Sequence, residues 1–533
     1  MTDLPLNTQP GESAGEDTPG VVAAIRSFAS LPTLVLLAGV VAVSVLGRFF
    51  VRSPLWLDEA LSVNISKLPL GEVAEALKHD GHPPLYYYLL HGWMSVFGEG
   101  DRAVRALSGC ITIGTLPLAF LTGRRIGGTR LGLGVTLVFA VSPYAFRYGS
   151  ETRMYALVMA EVLAGYLLVD AALKRPRFPT LAGVAGVAGL LLWTHYWSMW
   201  LLAATGMAIL GRLFVARRRS DTAAAVSAAK VAGALAVGGL TLLPWLPTLL
   251  YQNEHTGTPW APSFRVTTMV VTSLTDFAGG PYSEAQLGML LLAILAVIGV
   301  FGTGLDSHRI ELDFHAHELA RRPLLILGAT IAIAAAVGLL NGMAFAPRYA
   351  AIYFPFFIVL VALGLEQFRP GVVRDVVLIG FAATALAGTF FVFRLDRTQA
   401  GKAADAIAAA AADGLVVTCP DQLGPSVDRV LDRARYDVVT FPRFESPELV
   451  DWVDYKERNS RNDPKAFAQE VLRRAERRPL FLVIGDNFLT LEGQCQKVVE
   501  TIAAVRPPNT LMRPVTEDFY EPMTLVEFGL PGS

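Results

Sequence analysis

The chain has 533 residues, of which 53% are hydrophobic and only 17% are charged. Soluble domains carry about a quarter charged residues, so this composition predicts an integral membrane protein. The formal net charge is −1, and the sequence has no basic patch of the kind that binds nucleic acid. It also contains no Walker loop, dinucleotide-binding glycine motif or serine nucleophile elbow, so nucleotide-driven and serine-hydrolase chemistry have no support.

Residues 1–25 are polar, acidic and rich in Gly and Pro, which predicts a short disordered cytoplasmic tail. The first apolar segment, residues 31–50, is long enough to cross a bilayer. No small-residue cleavage site follows it, so we interpret it as a retained anchor and not a signal peptide.

Eleven apolar segments predict transmembrane helices before residue 395. They cover residues 31–50, 103–123, 131–148, 152–173, 180–196, 198–215, 223–250, 286–305, 323–343, 349–367 and 373–393. Every second loop between them is basic, which is the positive-inside pattern of cytoplasmic loops. This orientation places residues 51–102, 149–151, 251–285 and 344–348, together with the C-terminal part, outside the cytoplasm of a plasma-membrane protein.

The stretch Pro84–Gly98 is too short for a comfortable span, contains His91, and is rich in Tyr and Trp. If it crossed the membrane, every later basic loop would lie outside. We therefore predict an interfacial helix within a long first external loop, residues 51–102.

From residue 396 onward, helical and strand-like patterns alternate, which predicts a small extracytoplasmic α/β domain covering 396–533. The expected helices are 403–412, 426–434, 466–477 and 495–505, and the expected strands are 414–418, 437–440 and 479–484. Cys419 and Cys495 both lie in this domain, where a disulfide can persist, and whether they pair stays open. Cys110 lies in a span and is expected to be a buried apolar residue.

The first external loop contains an unusual carboxylate pair, Asp58 and Glu59, directly after Trp56. A solvated juxtamembrane loop is the simpler interpretation. Carboxylates beside a membrane span nevertheless need water, a cation or a polar substrate to be stable. We expect Asp58 to act as a general base toward a hydroxyl, and Glu59 to have a separate task in the same catalytic site.

A second polar cluster joins two predicted spans with almost no loop. Glu151 is the expected second catalytic acidic residue, and Arg147, Arg153 and Tyr155 are expected to bind a phosphate-bearing substrate. A surface ion pair is the alternative for Glu151 and Arg153.

Five further residues are candidate substrate contacts at external positions: His82, Tyr86, His195, Arg348 and Tyr349. For His195, a hydrogen-bonded interfacial histidine is an equal alternative, and Arg348 has the alternative of snorkelling to the interface. Glu75, His79, Asp80 and His82 could ligate a divalent metal, but their spacing matches no stringent metal motif, so no cofactor is assigned.

Four sequence motifs together resemble the GT-C glycosyltransferases, in particular the bacterial protein mannosyltransferase and aminoarabinose transferase group. They are Leu55-Trp-Leu-Asp58-Glu59, Gly81-His82-Pro83-Pro84-Leu-Tyr-Tyr, the stretch from Ser142-Pro143 to Glu151-x-Arg153-Met-Tyr155, and Arg348-Tyr349. The resemblance covers roughly residues 30–395 and is strongest over 50–160.

The resemblance implies a polytopic α-helical GT-C domain, residues 26–395, that transfers a hexose or pentose from a polyprenyl-phosphate donor at the outer membrane face. The acceptor would be a cell-envelope glycan, a lipid or a protein. Asp58 would match the catalytic acidic residue of the family's first loop, and Glu151 that of the second loop. His82, Arg153, Tyr155 and Arg348 would lie around the carrier phosphate.

Two competing functions use the same features. A transporter or flippase of lipid-linked sugars would need a similar cavity, although the sequence lacks paired, interrupted spans in two matching halves. A non-catalytic envelope scaffold would have little reason to cluster ionisable groups at the membrane rim. The sequence does not name the sugar, the acceptor, or the length of the carrier.

Overall fold

The computed structural model describes residues 21–257, 265–281, 283–485, 490–516 and 519–530. Residues 1–20 of the predicted tail lie outside this set. Residues 21–25 form the start of the first helix.

Helices dominate the part of the chain that precedes residue 395. They are α1 (Val21–Phe28), α2 (Leu31–Gly47), α3 (Leu57–Lys67), α4 (Leu70–Asp80), α5 (Leu85–Phe97), α6 (Asp101–Val141), α7 (Pro143–Gly149), α8 (Tyr155–Lys174), α9 (Phe178–Thr194), α10 (Ser198–Arg218), α11 (Thr222–Leu240), α12 (Leu246–His255), α13 (Val266–Phe277), α14 (Ser283–Phe301), α15 (Glu318–Asn341), α16 (Phe354–Glu366) and α17 (Val372–Arg394). Two short 3₁₀ helices, Leu243–Trp245 and Pro347–Ile352, and a hairpin of β1 (Gly302–Gly304) and β2 (Ile310–Leu312) complete this part.

Each of the eleven predicted apolar segments falls on one helix or on two consecutive helices. The segment 103–123 and most of 131–148 map to α6, whose backbone is non-helical at Gly127 and Gly128. Gly128 has φ +85°, a conformation that L side chains rarely adopt, so this glycine permits the break.

In the part of the chain that the structure describes, fewer than eleven helices are both long enough and apolar enough to cross a bilayer. Within the described residues, six helices are long and apolar enough to cross a bilayer, or seven if α1 and α2, bent by 95°, are one span. Three shorter apolar helices, Phe178–Thr194, Ala285–Phe301 and Phe354–Glu366, fall below the length limit. The chain is thus a multi-pass membrane protein, and the expected count of eleven spans stays a prediction.

The first external loop folds into three helices, α3, α4 and α5. The predicted helix at 84–98 is present as α5. The α4 helix ends at Gly81, whose φ of +83° favours glycine and turns the chain toward His82. Cys110 lies in α6 as expected, but its side chain is exposed and not buried, because it is on the outward face of that helix.

The C-terminal part forms a mixed α/β domain. Its elements are β3 (Asp396–Thr398), α18 (Ala400–Ala410), β4 (Gly414–Cys419), α19 (Gly424–Val430), β5 (Tyr436–Thr440), α20 (Tyr455–Ser460), α21 (Pro464–Ala475), β6 (Leu480–Ile484), α22 (Gln494–Ala503), β7 (Pro508–Met512), β8 (Phe519–Glu521) and β9 (Thr524–Phe528), with a 3₁₀ turn at Asp421–Leu423. The main sheet has the order β5-β4-β6-β9-β7, in which β5, β4 and β6 are parallel and β9 is antiparallel to both neighbours.

All the helices and strands expected in this domain are present within a few residues. The strands β7, β8 and β9 were not predicted from the sequence. Cys419 and Cys495 form a disulfide, which joins the end of β4 to the start of α22.

The α/β domain is attached to the first external loop by many polar contacts. Trp452 donates its backbone N–H to the carbonyl of His79 at 3.0 Å, and Asn64 donates to the carbonyl of Glu448 at 2.8 Å. Arg429 pairs with Asp101 at 2.9 Å. The domain therefore packs directly on α3 and its neighbours.

Candidate active site

Asp58 lies in the first turn of α3, where the unpaired backbone N–H groups favour an acidic side chain. Its carboxylate is 3.2 Å from Nη1 of Arg348, and both side chains are 15% exposed. The Arg348 guanidinium also lies 5.7 Å from the ring of Trp56. Asp58 is therefore partly accessible and forms an ion pair with Arg348, an arrangement suited to a group that meets a substrate.

The neighbouring carboxylate, Glu59, points into the protein and is completely buried. It accepts two hydrogen bonds from Arg105, at 2.6 and 2.8 Å, and one from the backbone N–H of Thr152 at 2.9 Å. Arg397 approaches it at 2.8 Å. Burial opposes ionisation, but Arg105 and Arg397 outweigh it and lower the pKa of Glu59 to about 2.

This environment changes the role expected for Glu59. Its oxygens are occupied by two arginines and a backbone amide, and no accessible side remains for proton exchange. These contacts favour a structural role for Glu59 in holding α3 in place, and the catalytic role of Asp58 stays a prediction.

Glu151 follows α7 and is almost completely buried, with its carboxylate 4.0 Å from Nε of Arg147. Its Oε1 atom has no hydrogen-bond partner among the described residues. Burial raises the pKa of Glu151; Arg397 and Arg147 oppose this only in part. The pKa values of Glu151 and Glu59 are therefore shifted in opposite directions.

Arg147, an expected phosphate contact, lies near two carboxylates, Glu151 and Asp276. Its Nη1 lies 3.4 Å from Oδ1 of Asp276, at the end of α13. The hydroxyl of Tyr148 donates to the other oxygen of Asp276 at 3.0 Å. The ring of Tyr520, from the α/β domain, lies 5.0 Å from the guanidinium carbon.

Arg153 connects three parts of the site. Its Nη1 donates to the hydroxyl of Ser62 on α3 at 2.9 Å, and its Nη2 contacts Nε2 of His82 at 2.9 Å. A guanidinium can only donate, so Nε2 of His82 accepts and Nδ1 carries the proton. Nδ1 lies 2.9 Å from Oδ2 of Asp80. Through its two ring nitrogens, His82 therefore links Arg153 to Asp80.

Three aromatic residues line the neighbouring surface. The ring of His195 lies 5.7 Å from Tyr155 and 5.4 Å from Tyr349. Nδ1 of His195 accepts the backbone N–H of Trp197 at 3.2 Å. His195 is almost completely buried between these rings, so it contributes shape and a hydrogen-bond acceptor to this part of the site.

Tyr86, a predicted substrate contact, is fully buried, and its hydroxyl pairs with Ser108 at 3.2 Å. The neighbouring Tyr87 is buried as well, and its hydroxyl donates to Asp80 at 2.7 Å. A substrate contact at Tyr86 stays a prediction.

The site also contains charged and aromatic residues that were not predicted, among them Arg105, Asp276, Arg397 and Tyr520. Arg105 and Asp276 do carry a sequence signal, because each is an ionisable residue inside an apolar stretch and needs a partner. Arg397 and Tyr520 have no such signal, because they lie in the mixed composition of the C-terminal part.

In the described ranges, no three His, Cys, Asp or Glu side chains lie together as a metal site requires. The nitrogens of His82, a candidate ligand in the sequence, are taken by Asp80 and Arg153.

Comparison with known proteins agrees with this architecture. Residues 81–245 match the family model of dolichyl-phosphate-mannose-protein mannosyltransferases. No curated protein matches the chain in sequence. Among solved structures, ArnT from Cupriavidus metallidurans bound to undecaprenyl phosphate has a TM-score of 0.53 at 13% identity, over 94% of this chain and 98% of that one.

The apo form of the same ArnT has a TM-score of 0.55 at 12% identity, over 93% of this chain and 97% of ArnT. The alignment with ArnT thus extends through the membrane helices and the α/β domain. The chain therefore has the GT-C fold that its sequence resembles.

Proposed function

We propose that this protein is a membrane glycosyltransferase that moves a sugar from a polyprenyl-phosphate donor to an acceptor hydroxyl outside the cytoplasm. The observation that carries the proposal is the partly exposed Asp58, 3.2 Å from Arg348 and next to a buried network of arginines. The likeness to ArnT, solved with undecaprenyl phosphate, supports a carrier of this class.

The reaction is a single displacement. The Asp58 carboxylate accepts the proton of the acceptor hydroxyl while that oxygen forms a bond to the anomeric carbon. The bond from the anomeric carbon to the phosphate oxygen breaks, and its electron pair leaves with the polyprenyl phosphate. Attack opposite the leaving group inverts the anomeric configuration. General-base assistance of this kind contributes about 10²–10⁴-fold to the rate.

Arginines are suited to the departing phosphate, because a guanidinium can bind two phosphate oxygens at once. Arg348 is the first candidate, since it already lies opposite Asp58 and is held over Trp56 and Tyr349. In the resting site Arg348 balances the charge of Asp58. When a phosphate enters, the same cation stabilises the leaving group.

An apolar cavity of about 240 Å³ lies within two helical turns of the site and is suited to the isoprenoid chain. Its wall includes Val162 on α8, Leu191 on α9 and Leu201 on α10. These helices carry Tyr155, His195 and Trp197 at their site-facing ends, so a lipid in the cavity would bring its phosphate toward Arg348.

The test is transfer by the purified protein. Radiolabelled polyprenyl-phosphate sugars are incubated with wild type, Arg348→Ala and the exposed control Arg217→Ala, using an envelope extract as the acceptor source. We expect transfer by wild type and by the control, and at least a tenfold higher KM for the donor with Arg348→Ala. Labelled donor that crosses reconstituted vesicles without any transfer would instead establish a transporter.

A further inference from the structure

The α/β domain places one of its strands directly at the candidate active site. Strand β8 pairs in parallel with β3, which follows the last membrane helix, with Asp396 opposite Phe519 and Thr398 opposite Glu521. This pairing fixes the position of β8 relative to the membrane helices.

Tyr520, in the middle of β8, faces the open side of the site. Its ring lies 4.8 Å from Trp56 in an edge-to-face arrangement and 5.0 Å from the Arg147 guanidinium. Phe519 and Glu521 on either side are buried, whereas Tyr520 is 46% exposed. An exposed ring held by an aromatic edge and a cation is a preformed contact surface.

Glu521 is buried at the N-terminal end of α3. Its carboxylate lies beside the backbone N–H of Leu57 and the side chains of Thr398 and Ser426. Leu57 is the first residue of α3 and precedes Asp58. Because the first N–H groups of a helix have no partner within the helix, a buried carboxylate at this point fixes the helix end.

Arg397, next to Thr398 in β3, adds a second link to the same helix. It lies 2.8 Å from Glu59 and donates to the hydroxyl of Ser150 at 3.0 Å. Its backbone N–H donates to the hydroxyl of Ser53 at 2.7 Å. Both strands of this small sheet thus hold the segment that carries Asp58.

We propose that the α/β domain completes the active site, with Tyr520 contacting the acceptor and Glu521 acting as a positioning residue for the Asp58 helix. This inference rests on the proposed transferase function. The carrier chain is apolar and must approach from the membrane, so the side covered by the soluble domain is left for the acceptor. A sugar or another polar acceptor would therefore meet Tyr520 before it reaches Asp58.

Kinetics of the full-length protein test the inference. Tyr520→Ala is expected to raise the KM for the acceptor about tenfold and to leave the KM for the donor unchanged. Glu521→Ala is expected to lower kcat about tenfold, and Glu521→Gln, which keeps an acceptor oxygen, to restore part of it. The matched control is Glu500→Gln, an exposed carboxylate on α22. Wild-type kinetics in all of these variants would overturn the proposal.

Hydrogen exchange gives a second readout that does not depend on activity. Glu521→Ala should speed amide exchange in the first turn of α3, and Glu500→Gln should not. If wild type transfers no sugar, the proposed function fails, and exchange still decides whether β8 holds α3. Unchanged exchange in Glu521→Ala would exclude Glu521 as a positioning residue.

Discussion

Asp58 and Glu59 are adjacent in sequence, yet their surroundings assign them different roles. Asp58 is partly exposed and meets one cation, whereas Glu59 is buried between two arginines. A sequence can identify the pair as unusual beside a membrane span. It cannot assign the roles, because Arg105, Thr152 and Arg397 come from distant parts of the chain.

Replacement of Glu59 tests its structural role. Glu59→Gln leaves Arg105 and Arg397 buried without a counter-charge, and removing one partner of a buried ion pair costs about 3–5 kcal/mol of the free energy of unfolding. We expect a clearly lower melting temperature in detergent, measured by tryptophan fluorescence. Glu72→Gln, an exposed residue on α4, serves as the control. Equal melting temperatures for the two variants would contradict the assignment.

Asp421, buried after β4, predicts a pH dependence of stability. Burial raises the pKa of Asp421 to about 7, although the hydroxyl of Tyr455 opposes this. The folded state therefore binds this proton more tightly than the unfolded chain, whose pKa is about 4. The resulting stabilisation is complete below about pH 4 and is lost as the pH rises through about 7.

The comparison is made with Asp421→Asn, which keeps an oxygen for Tyr455 but has no proton to lose. Between about pH 5 and about pH 8, the melting temperature of wild type should fall more steeply than that of the variant. Other groups that titrate in this range, including Glu521, are common to both proteins. Parallel pH profiles would show that Asp421 does not titrate near neutrality.

At the scale of elements, hydropathy located the membrane helices well. Each apolar segment of the sequence became one helix or two consecutive helices, because a backbone in lipid must satisfy its hydrogen bonds internally. Helix contacts were not predictable in the same way. Gly364 on α16 lies so close to α14 that an added methyl group would be 2.0 Å from the carbonyl oxygen of Leu295.

This close contact predicts that alanine at position 364 destabilises the protein much more than alanine at position 380. Gly364→Ala should force α14 and α16 apart and cost about 1–3 kcal/mol, the usual range for overpacking. Gly380→Ala on α17 is the control, since nothing lies within 4 Å of an added methyl group there. The melting temperatures of both variants are measured in detergent. Equal melting temperatures for Gly364→Ala and Gly380→Ala would mean that α14 and α16 are not packed so tightly.

For the whole molecule, the main surprise is how closely the α/β domain is joined to the membrane part. The sequence predicted the strands β4, β5 and β6, because short apolar runs alternate there with helical patterns. It did not predict β8, a strand of three residues, or its contact with α3, because short strands carry little pattern and docking depends on side chains from both parts.

The distribution of basic loops predicts that this domain and the site lie outside the cytoplasm. The disulfide between Cys419 and Cys495 is consistent with that side, since such bonds persist in oxidising compartments. Alkaline phosphatase fused after Ser533 should be active in whole bacterial cells, and green fluorescent protein at the same point should be dark. The opposite pair of results would reverse the orientation.

The central claim is that Asp58 is the base of a sugar transfer. Purified wild type, Asp58→Asn and the control Asp405→Asn, an exposed residue on α18, are compared for transfer from a polyprenyl-phosphate sugar. We predict that Asp58→Asn folds normally and loses about 10²–10⁴-fold in kcat, with the control unchanged. Near-normal transfer by Asp58→Asn would contradict it.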